Sequence, residues 1–386
     1  MSNYITLNRI ASSIFLTAML LLFLTGCSET PTNSKIVNPG TESKSNPQIT
    51  CEGDFVYGQV NLVADRSSLN PVRIDPLLDN AWGMAIEPSS GNFCLASNAA
   101  GSSVFYDNLG NKKLPPISIP TVWTPDGGIP TGVVYNSTAA DFVIPSSGQK
   151  STFIFAQDDG LISAWSSGYN AIVVANMTAS GAVYKGLAIG KIGKDNYLYA
   201  TNFHGQTIDV FDKNFNYSST ITFKDKHIPP DFSPFGIANI DGKLFVTYAK
   251  LKPPDNRNAL AGQGYGYVVV YKTDGTLIDR IASRGLLNAP WGIVEAPDGF
   301  CKDDDAILVG NNGDGKINII SKHGEFREQL KDSKEHALSI DGLWGLAFIP
   351  AGSSGNRQWL YFTAGPNAGS LGLFGYLSRV TKKHNY

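Results

Sequence analysis

Charge is scarce in this chain. Only 17% of its 386 residues are Asp, Glu, Lys or Arg, and the formal balance is −2. No basic patch or stripe of the kind a nucleic-acid surface needs is visible, so nucleic acid is excluded as a partner. Histidine is scarcer still: the five in the chain are too scattered to supply the several convergent imidazoles of a zinc lyase. There is no Gly-x-Ser-x-Gly elbow, phosphate loop or Cys–His pairing, so the common signatures of nucleophilic and phosphoryl chemistry are missing. Long helical patterns are also missing. The one extended apolar run, "IFLTAMLLLFL" (Ile14 to Leu24), is too short to cross a bilayer as a permanent helix.

That run has a different use. Arg9 precedes it and "LTGC" (Leu24 to Cys27) follows, a spacing that resembles the lipobox of bacterial lipoproteins. The resemblance implies a signal peptide over 1–26, removed on export, and diacylglycerol on the Cys27 thiol. Ser28 rather than Asp after the Cys points to the outer membrane in a Gram-negative host. Residues 27–50 hold little that can be buried and read as a flexible tether, with the folded domain over 51–386. The expected place is therefore the bacterial cell envelope, with the membrane engaged only through the lipid. A monomer is expected.

What the folded part does have is glycine (40), proline (21) and many aromatics, the composition of short strands and tight turns. One phrase recurs: "NAWGMAI" (Gly83), "IPTGVVY" (Gly132), "VYKGLAI" (Gly186), "SPFGIAN" (Gly236), "APWGIVE" (Gly292) and "GLWGLAF" (Gly345). Subtracting successive positions gives 49, 54, 50, 56 and 53 residues, the period of a repeat architecture. Each phrase leads into a second apolar strand such as "YLYATN", then a third such as "TIDVFD". A fourth follows, as in "SSTITF" (Ser218 to Phe223) or "LIDRIA" (Leu277 to Ala282). Four strands in six units predict an all-β, six-bladed β-propeller. The repeated glycine marks where blades crowd the axis.

The sixth unit runs out of chain after three strands. "VYGQVNLV" (Val56 to Val63) has strand character and no unit of its own, so it is expected to close the ring as the outer strand of blade 6. Cys94 aligns with Leu198 and Ile307 and reads as a small buried hydrophobe. Cys51, at the start of the closing strand, and Cys301, in a turn of blade 5 on the same face, are expected to form a disulfide.

The blade phrases resemble NHL-type propellers, and among them a group of secreted bacterial propeller lipoproteins, from Val56 to Val380. The resemblance implies the fold and leaves activity open, because propellers carry hydrolases, lyases and binding platforms alike. The expected site lies on the face that holds the loops leading into strand one and out of strand two. There Trp82, Asp126, Asn202, His204, Trp291, Asn311, Asp341 and Trp344 form a candidate ligand mouth for a glycan, a peptide or another envelope protein. His204 is the candidate catalytic group. Asn202, Asn311, Asp126, Asp158 and Asp341 are candidate oxygen ligands for a Ca²⁺ ion of the kind six-bladed lactonases hold. A binding module is the first expectation and a calcium-dependent hydrolase the alternative. The inserted segment Ala249 to Tyr267 is expected to overhang the same face.

Overall fold

Each repeated phrase becomes the innermost strand of an antiparallel blade. The inner strands are Ala81–Glu87, Pro130–Tyr135, Tyr184–Ile192, Phe232–Ile240, Pro290–Glu295 and Leu343–Ala347 in blades 1 to 6. Each pairs with the strand that follows it, and two more strands carry the blade outward, three in blade 6. The structure, a computed structural model, describes residues 55–302 and 304–381. The expected signal peptide, Cys27, the tether and Cys51 lie outside the described residues.

The ring closes as the sequence requires. Val56–Ala64 pairs antiparallel with Leu373–Val380 as the fourth strand of blade 6, and Arg73–Ile74 adds a short parallel fifth. One closing element differs from expectation. The fourth strand of blade 3 shrinks to Tyr217–Ser218, because Ile221 and Phe223 leave the ladder and pack against the core between blades 3 and 4.

Second strands are buried on both sides, as in Asn92–Ser97 of blade 1, whose Phe93, Cys94, Leu95 and Ala96 are all sealed. Cys94 is thus the buried residue expected, but the register is one residue off. Leu198 and Ile307 match Phe93, not Cys94, since all three face the third residue after their own ring glycine. The Cys94 thiol contacts the Ser103 hydroxyl at 3.1 Å, and burial raises its pKa well above the ordinary thiol range. Cys301 is buried beside the Tyr57 ring system of the closing strand.

The recurring glycine has a steric cause. Every inner strand carries a bulge at this point. A Cβ on Gly83, Gly132, Gly186, Gly236 or Gly292 would meet backbone atoms of the next blade's phrase, and one on Gly345 would meet Thr363 and the Trp82 carbonyl, closing the circle. Where the second strand offers a threonine, it staples the blades. Thr201 Oγ1 accepts from the Gly186 N–H at 2.7 Å and donates to the Phe235 carbonyl of blade 4 at 2.8 Å. Thr247 and Thr363 occupy the same register and reach Trp291 and Trp82.

Candidate functional site

The residue before each ring glycine projects at the upper end of the axis, on the face of the strand-two exits. Those six residues are Trp82, Thr131, Lys185, Phe235, Trp291 and Trp344. The aromatics pack on one another. Trp82 stacks on Trp344 with centroids 3.7 Å apart, and Trp291 meets Trp344 edge-on at 5.8 Å. Phe235 also meets Trp344 edge-on, and Phe203, Val183 and Leu251 complete a continuous apolar plug. Trp82, Trp291 and Trp344 are only 7–9% exposed. The three indoles therefore form a plug rather than an open stacking rim.

Lys185 is the exception in this ring. It is 1% exposed, pairs with Asp158 of blade 2, and its ammonium lies 5.0 Å from the Trp82 ring centroid. Burial pulls its pKa below the usual lysine range, and the Asp158 carboxylate opposes that shift. Burial likewise pushes the neighbouring Asp159 carboxyl upward. The inserted segment of blade 4 crosses over this system, as its length required. Arg257 Nη2 donates to the Asp158 carbonyl at 2.8 Å, and the Asp255 carbonyl lies 3.0 Å from His204 Nδ1. Hairpin bonds between Leu251 and Ala259, and between Lys252 and Asn258, hold the segment as a lid.

The other expected site residues are dispersed around this plug. Asn202 turns inward: its Oδ1 accepts from Val183 and Gly205 N–H groups, and its Nδ2 donates to Asp209. Asn311 does the same with the Asn288 N–H, the Leu286 carbonyl and Asp314. Asp341 accepts the Asn367 N–H at 2.7 Å. Asp126 is exposed on a turn locked by Thr121 and Thr124, which also presents Trp123 to solvent. His204 is exposed and bonded to the lid. Among the described residues no three His, Cys, Asp or Glu side chains gather as a metal cluster. Asp126, Asp158 and Asp341 thus form no such set, and the oxygens of Asn202 and Asn311 already accept backbone N–H groups.

Below the glycine ring the axis opens. A cavity of about 440 Å³ is lined by all six inner strands, from Gly83–Ile86, Gly132–Tyr135 and Gly186–Ile189 round to Gly345–Leu346. Its side chains are mostly apolar, but the inner edges of six sheets converge there and turn backbone N–H and C=O groups toward it, the Ile189 carbonyl already accepting from Asn239 Nδ2 at 2.8 Å. Burial follows the same gradient. The upper ends of the inner strands are sealed, whereas Ile86, Tyr135, Ile189 and Asn239 at the lower ends are partly or fully exposed. A second depression of about 980 Å³ adjoins it beneath blades 4 to 6, sharing Asn239 and bounded by Glu295, Asp298 and Arg357. The sequence placed the mouth on the upper face; the open volume lies on the lower one. The buried pair of Lys185 with Asp158, under Arg257, was not anticipated, although "VYKGLAI" shows a lysine where other blades carry an aromatic or threonine.

The geometry defines a six-bladed β-propeller with a plugged upper end. No family model matches the chain. It is 30% identical over 331 residues to uncharacterized protein R648 of Acanthamoeba polyphaga mimivirus, covering 83% of this chain and 80% of the relative. It is 33% identical over 301 residues to uncharacterized protein L690 of the same virus, covering 75% and 78%. The chain belongs to the family that includes these viral proteins. Among solved structures it is similar to an α-L-arabinanase of Penicillium chrysogenum (TM-score 0.52, 12% identity, 85% of this chain and 99% of that one). It is also similar to virginiamycin B lyase of Staphylococcus aureus (TM-score 0.50, 14% identity, 85% and 100%). At such identities the likeness concerns the fold alone, and the two activities differ.

Proposed function

We propose that the protein is a binding module, held at a bacterial envelope membrane by lipid on Cys27, that takes its ligand into the lower end of the axis. The observation that carries this reading is the cavity of about 440 Å³ beneath the glycine ring, a size suited to a small ligand. Apolar walls with strand-edge amides suit a slim, polar chain end, such as the terminus of a glycan or peptide of an envelope partner. The plug and lid close the upper end, so the ligand approaches from below. A calcium-dependent hydrolase is less well supported, because Asn202 and Asn311 would have to surrender backbone hydrogen bonds to offer oxygen to a cation.

The test is to screen glycan and peptide libraries against the protein and against Ala238→Phe and Asn239→Trp variants, which narrow the cavity. Both residues line it. Binding lost in these variants and kept in His204→Ala supports the axial site. Binding indifferent to cavity narrowing but lost with His204 or Asp341 overturns it. Cys27→Ser, followed by membrane fractionation, checks the anchor separately: protein that stays with the membrane refutes lipidation at that residue.

A further inference from the structure

A second, smaller recess lies away from the axis, between blades 1 and 2. It encloses about 190 Å³ and is lined by Glu87, Phe105 and Lys113 of blade 1 and by Phe153 and Trp165 of blade 2, among others. Its floor is aromatic. Phe105 lies 5.7 Å from Phe153 and 5.6 Å from Trp165, ring centroid to ring centroid, and Phe153 stacks on Trp165 at 6.2 Å. The indole is fixed in place, since its Nε1 donates to the Gly168 carbonyl at 3.0 Å. Two charges of opposite sign border this floor. Glu87 ends the inner strand of blade 1, and its Oε2 accepts the Ser90 hydroxyl at 2.6 Å. Lys113 stands on the outer strand of the same blade. Neither forms a close ion pair among the described residues, although the exposed Lys113 ammonium helps to hold the Asp107 carboxyl below its ordinary range.

We infer that this recess binds a small zwitterion, with a methylated ammonium over the aromatic floor beside Glu87 and a carboxylate or phosphate at Lys113. An alkylammonium gains from the negative faces of Phe and Trp rings, and more so where water is partly excluded. Methylation suits an aromatic floor, because it spreads the charge and leaves no N–H needing an acceptor. A plain cation would gain nothing from Lys113, and a plain anion would gain nothing from Glu87. Only a dipolar ligand satisfies both. This site is independent of the axial cavity and of the ligand proposed there.

Titration with glycine betaine and with phosphocholine at low ionic strength, followed by calorimetry and by tryptophan fluorescence, tests the inference. The expected result is saturable binding with a Kd of about 1 mM or tighter and a fluorescence change that disappears in Trp165→Phe. Glu87→Gln and Lys113→Gln should each weaken binding at least about tenfold while leaving the melting midpoint unchanged. Choline and acetate should each bind more weakly than betaine by a similar factor. Binding to phosphatidylcholine vesicles would identify a lipid headgroup as the source, and binding to the free solutes alone a soluble one. Absence of saturable heat, choline binding as tightly as betaine, or titrations unaffected by both charge variants would overturn the inference.

Discussion

Gly236 is the most crowded of the six ring glycines, and Gly236→Ala measures that demand. Gly236 is not among the residues with positive φ, so alanine is conformationally allowed there and any cost is steric. The added Cβ would fall on the Trp291 carbonyl oxygen of blade 5 and 2.9 Å from Thr247 Oγ1. The first is backbone and cannot swing away. At Gly186 the three nearest atoms all lie at 3.1 Å, where a shift of a few tenths of an ångström suffices. Overpacking costs about 1–3 kcal/mol, so Gly236→Ala belongs at about 3 and Gly186→Ala at about 1. Gly242→Ala meets no neighbouring atom and only a positive φ of 75°, a strain of about 1 kcal/mol. Urea unfolding followed by tryptophan fluorescence separates the three, provided the slopes match. Because Trp291 belongs to the plug, Gly236→Ala should also shift the emission spectrum without urea, and Gly242→Ala should not. A Gly236→Ala midpoint equal to that of Gly186→Ala, or within about 0.5 kcal/mol of the parent, would refute the steric account of the repeat.

Three further outcomes are expected. Lys185→Met keeps the contact with Trp82 but leaves the Asp158 carboxylate to Arg257 alone, whereas Lys185→Ala also leaves a hole beside the plug and should cost about 2 kcal/mol more than Lys185→Met; equal midpoints would refute the packing role. Asp75 is pushed up by burial, but hydrogen bonds from Lys112, Tyr106 and the Leu77 N–H outweigh this and hold its pKa below 3.8. A depressed carboxylate stabilises the fold above its unfolded pKa and loses that contribution as pH falls through the folded value, so Asp75→Asn should flatten the acid limb of stability below about pH 4. An unchanged acid limb would count against the linkage. A chain lacking Val56–Ala64 exposes the edge of Leu373–Val380 and should aggregate on size exclusion; a monomer with the parent's melting midpoint would refute the closing strand as a stabilising element.

Legibility in the sequence divides along a physical line. The propeller could be read because its determinants are local and recur: each ring glycine is needed for the same contact with the next blade, so the requirement is written six times. The closing strand could be read because a three-stranded last unit leaves an edge that some segment must cover. The Cys94 register slipped by one because second strands are buried on both sides, which removes the in–out alternation that would have fixed the phase. The site was harder for the opposite reason. Trp82, Trp291 and Trp344 are visible as residues, yet whether an indole at the axis stands open or packs on its neighbours depends on four other blades. Asn202 and Asn311 looked like spare oxygens because side-chain-to-backbone bonds leave no trace in composition. The recess between blades 1 and 2 joins Glu87 to Trp165 across 78 residues of chain, by subtraction of their positions, and no repeat marks it. Features that a propeller needs in every blade are thus announced by periodicity. Features that serve a ligand need occur only once, and departures from the repeat are where to look for them, as with Lys185 among the aromatic residues that precede the ring glycines.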